Sequence, residues 1–396
     1  MKTILVIGAG FLQSFVIKRA KDMGYRVLAI DRNPKSVGFK YANEYGVIDI
    51  VDQEACLTYA RSKGIDGIMT AATDYGVLST AYVAENLNLP GLNYEVAKII
   101  KNKYMVRKTL FENKVDDVSQ YYEVSSTDEL QALSASIKFP VMVKPCDGSG
   151  SKGARKVETA DELDSACTQA ISNSLIGKAL IEDFIEGKEY GVESFVYDGQ
   201  VYVLGVMGKH MTSPPDYAEL GHSVPSFLPN EEKVKQVARK AIKSLGINFG
   251  AVNMDVLVTH DGKVCIIDVG ARMGGNLIGS HIIPIGTGVD YMGNIVRASV
   301  GDEVDFSVRD SRKHVVTRLL ALRPGRVVSL PDFELIKAQH NVDIYHHLEV
   351  GKEIREYHNN LDGCGYVLSV ADNLQKATRR AEDALSLIDI GIKRDT

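Results

Sequence analysis

Near its start the sequence alternates short apolar runs with stretches of helical spacing, and that alternation limits how the chain can fold. Thr3 to Ile7 reads as a strand, Gly8-Ala9-Gly10 as a tight turn, Gln13 to Met23 as a helix and Arg26 to Asp31 as a second strand. Two strands joined through a helix make a βαβ unit with parallel strands. The pattern continues with a strand at Tyr45 to Ile50, a helix near Gln53 to Lys63, a strand at Gly67 to Thr70 and a helix at Gly76 to Asn86, closed by Leu89-Pro90-Gly91. Residues 1–95 are therefore expected to form a small doubly wound α/β domain.

With 396 residues the chain exceeds one ordinary core, and two or three domains are expected. A basic helix from Ala97 to Glu112 carries Lys98, Lys101, Lys103, Arg107 and Lys108. A strand at Tyr121 to Val124, a helix opening at Ser126 with Glu129 in capping-box spacing, and a strand at Val141 to Lys144 follow. From about Ser307 a strand (Val315 to Leu320), turn signals and a terminal helix (Leu374 to Leu387) read as a smaller α+β unit. The expected division is 1–95, then 96–306 with a lid at about 115–190, then 307–396.

A net charge of -5 gives no electrostatic footprint for nucleic acid or an anionic membrane, so small polar substrates are the expected partners. No apolar run approaches a membrane span, and the Ile4 to Ala9 run lacks a cleavage pattern. Cys56, Cys146, Cys167, Cys265 and Cys364 form no Cys-x-x-Cys pair and read as reduced thiols of a cytosolic protein.

The most informative segment is a hairpin, Asn253 to Thr259 and Lys263 to Gly270, around Asp261-Gly262. With Asp261-Gly262 as a two-residue loop, Asp255 and Asp268 face each other with Cβ atoms about 4.5–5.5 Å apart. Like charges so placed repel unless a cation lies between them, and magnesium favours carboxylate oxygen. The alternatives are solvent exposure or an arginine for each acid. Lys144 ends a strand that runs into Pro145-Cys-Asp-Gly-Ser-Gly-Ser-Lys-Gly-Ala154, where backbone N–H groups and an ammonium suit phosphate, although the loop lacks a Walker A ending. Gly8-x-Gly10 with Asp31 invites a dinucleotide reading, but Gln13 stands where the third glycine belongs. A structural turn, or one facing another ligand, fits better.

In order, these pieces and the segment Ile181-Glu-Asp-Phe-Ile-Glu-Gly-Lys-Glu189 are similar to the ATP-grasp superfamily over roughly residues 1–390. The resemblance implies an ATP-grasp fold, α/β and α+β in several domains, with a doubly wound preATP-grasp domain in front and a small α+β domain behind. It implies that Lys103 and Lys144 contact nucleotide phosphates and that the loop with Gly148, Ser149, Gly150 and Ser151 closes over them. Glu182, Phe184 and Ile185 would receive adenine through a hinge, and Glu189 the ribose. Asp255 and Asp268 would bind one or two magnesium ions, or manganese in their place, and Arg272 would steady the transferred phosphoryl group together with Lys144. Gly270 stands where the family has asparagine, so Asn276 or water would complete the second metal.

Gly270-Ala-Arg272 is similar to the branch containing L-amino-acid ligases, in which a Glu and a His three apart help define the amino-acid site, and Glu219 and His222 have this spacing. Gly274 and Asn276, beside Arg272, are expected at the same substrate site. The expected activity joins a carboxylate to an amine through an acyl phosphate, with ADP and phosphate released, in a homodimer formed through the first domain. Competing readings are a purine-pathway-like enzyme activating formate or bicarbonate, a non-catalytic nucleotide-binding regulator, and an NAD-dependent oxidoreductase.

Overall fold

The computed structural model describes residues 1–148, 150, 152–213, 217–308 and 313–395. In the first unit β1 (Thr3–Ile7), β2 (Arg26–Asp31), β3 (Glu44–Val47) and β4 (Gly67–Thr70) form a parallel sheet in the order β3-β2-β1-β4. Every residue of β1 is buried, as an unbroken apolar strand requires when both sheet faces are covered. The glycine turn after β1 is closed from within. Asp31 accepts from the Ala9 N–H at 2.8 Å, and the buried Gln13 amide donates to the Ala71 carbonyl at 2.7 Å. The acid a ribose would need and the residue at the third glycine position both hold the turn together.

The lid is an antiparallel sheet of β5 (Tyr121–Val124), β6 (Val141–Pro145), β7 (Arg155–Val157) and β8 (Ala179–Asp183), in the order β5-β8-β6-β7. Helices Thr127–Leu133 and Ala160–Ser172 pack on it around Val143, Leu163 and Ile181. The chain then leaves for a different sheet, so the Glu186-Gly187 turn separates two sheets and does not join paired strands. At Gly187 a Cβ would stand 2.3 Å from Leu257 and 2.6 Å from the Val258 carbonyl, which only glycine avoids.

The central sheet contains β9 (Lys188–Tyr197), β10 (Gln200–Met211), β11 (Glu219–Val224), β12 (Gly250–Val258) and β13 (Val264–Gly270). Beyond it come β14 (His314–Leu319), β15 (Gly325–Ser329), β16 (Val342–His346), β17 (Glu353–Ile354), β18 (Gly365–Ala371) and β19 (Lys393–Asp395). Among these, β14, β18 and β16 extend the central sheet in the order β13-β12-β9-β10-β11-β14-β18-β16, and β17-β15-β19 form a small sheet of their own. The expected boundary at 307 thus divides one hydrogen-bonded sheet. Val315 and Val316, fully buried, pair with Val224 and Ser223, and an apolar strand of this kind requires a neighbour on each edge.

The basic stretch is two helices, Tyr94–Ile100 and Lys103–Glu112, where one was expected. Asn102 caps the second by accepting from the N–H groups of Tyr104 and Met105 at 3.0 and 3.2 Å. The break sets Lys103 at a helix start. One turn on, Arg107 is buried. Its guanidinium meets Glu182 at 2.7 Å and Asp116 at 2.9 Å and donates to the Ile266 carbonyl, joining the helix, the lid and the central sheet. All five cysteines are buried and free, and no helix among the described residues is long and apolar enough to cross a membrane.

Arg107→Ala would leave the buried Asp116 without its cation and Glu182 with Lys144 alone, and a loss of roughly 3–5 kcal/mol in stability is expected by chemical denaturation. A loss below about 1 kcal/mol, the range of an exposed ion pair, would contradict this role.

Candidate functional site

Asp255 and Asp268 face each other across β12 and β13, but not through the expected turn. The Thr259 N–H donates to the Lys263 carbonyl at 3.0 Å and Val258 pairs with Val264, so His260, Asp261 and Gly262 form a three-residue loop. The longer loop shifts the register by one, and a bulge at Ile267 shifts it back. The two deviations cancel at the acids. The bulge also has a use, because the Ile267 carbonyl accepts from Lys144 at 3.1 Å.

These acids line a cavity of about 370 Å³ formed by the first unit, the lid, the central sheet and the C-terminal region. At one end stand Lys103, Lys144, Gly148 and Gly150. Lys103 Nζ lies 2.5 Å from Asp268, and Lys144 Nζ lies 2.5 Å from Glu182. Burial alone would raise the Glu182 pKa, but Lys144 and Arg107 outweigh it and hold the group below its ordinary value. Its carboxylate therefore aims Lys144 and does not reach the cavity as an adenine contact. The Phe184 N–H is taken by the Pro140 carbonyl at 3.2 Å, and neither Phe184 nor Ile185 lines the cavity. Ser149 and Ser151 lie outside the described residues.

Farther along the cavity, Lys209 supplies a cation that sequence reasoning missed. Its Nζ lies 3.0 Å from Asp255, 3.1 Å from Glu189 and 3.6 Å from Glu219, with 3 % of the side chain exposed. Burial opposes its charge, but the three carboxylates raise its pKa well above the ordinary value. Glu189 is raised by burial, which Lys209 only partly offsets, whereas Asp255 is held below its usual value because Lys209 outweighs the burial. The signal was a lysine inside the apolar run Val201 to Met211, since such a lysine must find a carboxylate.

Glu219 and His222 would point to opposite faces of a regular strand. A bulge at Leu220, between the pairs Met211–Glu219 and His210–Gly221, brings them to one side, with His222 Nδ1 3.2 Å from Glu219. His222 is buried, and that burial lowers its pKa, leaving a neutral ring at neutral pH behind the cavity wall. Asn276 donates to Glu219 at 2.5 Å and accepts from the Tyr366 hydroxyl at 2.8 Å, so its amide serves the Glu219 side of the cavity. The Tyr357 hydroxyl donates to the Glu219 carbonyl.

Arg272 is gripped by Asp74 of the first unit, with N–O distances of 2.9 and 3.0 Å, and donates to Asn253 at 3.2 Å. A Cβ on Gly270 would stand 3.1 Å from both the Arg272 guanidinium carbon and the Asp74 carboxylate. An asparagine side chain there would disturb this ion pair, which accounts for the glycine. The Gly274 N–H donates to Glu193 at 2.8 Å, away from the cavity. Glu193 also accepts from Tyr291 at 2.6 Å and Asn253 at 2.9 Å, and burial pushes its pKa up to about 7.

Asp255 and Asp268 are hard oxygen donors on facing strands, each now held by an ammonium, which suits a divalent ion completed by water or phosphate oxygens. No cluster of three or more metal-ligating side chains occurs among the described residues, so the chain would supply two ligands.

With the fold and cavity described, comparison with known proteins shows what the chain is similar to. Residues 137–280 match the ATP-grasp domain, and residues 318–393 match L-amino acid ligase C-terminal domain 2. Residues 137–280 therefore form an ATP-grasp domain, followed by a region similar to the C-terminal domain of L-amino acid ligases. It is 26% identical over 339 residues to a protein of Sinorhizobium fredii designated uncharacterized protein y4rH, covering 84% of this chain and 69% of the relative. It is 24% identical over 277 residues, 65% of each chain, to a formate-dependent phosphoribosylglycinamide formyltransferase of Herminiimonas arsenicoxydans. The crystal structure of L-amino acid ligase from Bacillus licheniformis superimposes with a TM-score of 0.85 at 21% identity, over 100% of this chain and 99% of that one, and shows the shared fold.

Glu193 generates a pH prediction. Its folded pKa lies above its unfolded value, so its contribution to stability is complete below about pH 4.5 and is lost as pH rises through about 7. Glu193→Gln should flatten this part of the stability–pH curve. Parallel curves for the two proteins from pH 4.5 to 7.5 would show that Glu193 does not titrate there.

Proposed function

We propose that this protein is an ATP- and magnesium-dependent carboxylate–amine ligase of amino-acid type, forming an amide through an acyl phosphate and releasing ADP and phosphate. One observation carries the reading: a single cavity has a lysine-lined end beside the glycine-rich loop, and an acidic end where Asp255, Glu189 and Glu219 share one lysine. The first end suits a triphosphate. The second retains an excess of negative charge suited to a divalent ion and a substrate ammonium group.

In this reading Lys144, aimed by Glu182 and the Ile267 carbonyl, and Lys103 bind phosphate oxygens, and Glu189 meets the ribose. Magnesium held by Asp255 and Asp268 would draw charge from the phosphate oxygens. Arg272, fixed by Asp74 and Asn253, faces the negative charge that develops as the substrate carboxylate attacks the γ-phosphate. Glu219, with Asn276, receives the ammonium of an amino-acid substrate. Gly150 approaches Asn360, with its built Cβ 3.8 Å from the Asn360 Cβ, so the loop and the 357–362 segment meet across the cavity mouth. That closure keeps water from the acyl phosphate until the amine attacks its carbonyl carbon and phosphate leaves. A cytosolic homodimer joined through the first unit belongs to the same reading.

Similarity to the formyltransferases favours a second reading, in which formate is activated for a phosphorylated ribosylamine. At the substrate end Lys209 alone faces Asp255, Glu189 and Glu219, an excess of negative charge that disfavours a sugar phosphate there. The amino-acid reading is therefore preferred.

The test is ADP and phosphate release from magnesium ATP with pooled amino acids, and separately with formate or bicarbonate and amines, followed by mass spectrometry. Amino-acid-dependent ADP with a new amide mass is expected, and Arg272→Ala should lower kcat at least ~100-fold while ATP affinity changes only a few-fold. Turnover with formate alone among the carboxylates would establish the second reading instead.

A further inference from the structure

Lys209 has no part in the chemistry just described, yet it touches both ends of that chemistry. Its ammonium has three N–H groups and lies among three carboxylates, at 3.0 Å from Asp255, 3.1 Å from Glu189 and 3.6 Å from Glu219. The first two distances are charge-assisted hydrogen bonds, whereas the third is a looser ion pair. Strand β10 fixes the backbone, and with 3 % of the side chain exposed the ammonium shifts its weight chiefly among these acids. Glu219 is itself fixed by Asn276 at 2.5 Å and by Tyr357 on its carbonyl, so the moving part is the lysine tip.

We propose that Lys209 is a positioning residue that couples the Asp255–Asp268 pair to Glu219, so that a cation bound at the pair weakens the hold on a cation at Glu219, and the reverse. The inference rests on the reading of Asp255 and Asp268 as the divalent-ion pair. A divalent ion at Asp255 repels the ammonium toward Glu219 and Glu189. A substrate ammonium at Glu219 repels it toward Asp255, where it competes with the metal. The metal nucleotide is thus favoured while Glu219 is empty, which sets an order of binding without any movement of the backbone.

The coupling is measured with Mn2+ in the presence of ADP, by electron paramagnetic resonance of free Mn2+, on the full-length wild type and on Lys209→Gln, Glu219→Gln and the double variant. Lys209→Gln should bind Mn2+ more tightly, because a competing cation has gone, an effect that general damage to the site would not produce. Glu219→Gln should weaken Mn2+ binding about tenfold in the wild-type background, because only Glu189 then draws Lys209 away from Asp255. In the Lys209→Gln background the same change should have less than about a twofold effect. If Lys209→Gln fails to fold, Glu219→Gln alone decides, since unchanged Mn2+ binding in that variant overturns the coupling. Equal effects of Glu219→Gln in both backgrounds likewise overturn it while leaving the ligase reading in place. Failure of the wild type to bind Mn2+ with ADP at all would overturn the metal reading and the inference together.

Discussion

Two carboxylates held face to face organise this structure. Asp255 and Asp268 stand directly opposite on paired strands, where like charges destabilise the pairing. The pair persists only where cations offset that repulsion. Lys103 does so for Asp268 and Lys209 for Asp255, from opposite sides of the hairpin. Both lysines are placed by local structure, the first by the Asn102 helix cap and the second by its position in β10.

Lys144 and Arg272 follow the same rule, in that each is anchored by an acid from another part of the chain. Lys144 is anchored by Glu182 within the lid, whose other oxygen is held by Arg107 from the helix below. Arg272 is anchored by Asp74 of the first unit, so that unit contributes to the site without presenting a dinucleotide turn. Bonds of this kind cost less when the acid is already fixed, and each of these acids has a second partner or a place in a buried network. The lid, the first unit and the central sheet are therefore assembled by the same ion pairs that set the geometry of the cavity.

Much of this was readable in the sequence where local periodicity decides the outcome. The first sheet, the lid strands and the hairpin acids follow from alternation and turn signals. Where contacts distant in sequence decide, reading failed. Nothing near Lys209 announces Glu189, Glu219 and Asp255, and nothing near Arg272 announces Asp74. Asp255 and Asp268 were placed opposite each other through a wrong turn, because the Ile267 bulge that restores the register has no sequence signal. That three strands beyond residue 307 extend the central sheet is hidden for a related reason, since a strand cannot show in its own sequence which sheet it will join. The side-chain partners of Glu182, Lys144 and Arg107, are likewise invisible in its segment.

The central claim is that the cavity transfers a phosphoryl group to a carboxylate before the amine attacks. The most direct measurement uses the carboxylate substrate labelled with 18O in both carboxyl oxygens and follows the label into the released phosphate by mass spectrometry. The account predicts one labelled oxygen in each phosphate formed during amide synthesis. Amide formation with unlabelled phosphate would show that the carboxylate oxygen never bonds to phosphorus, and would contradict the account.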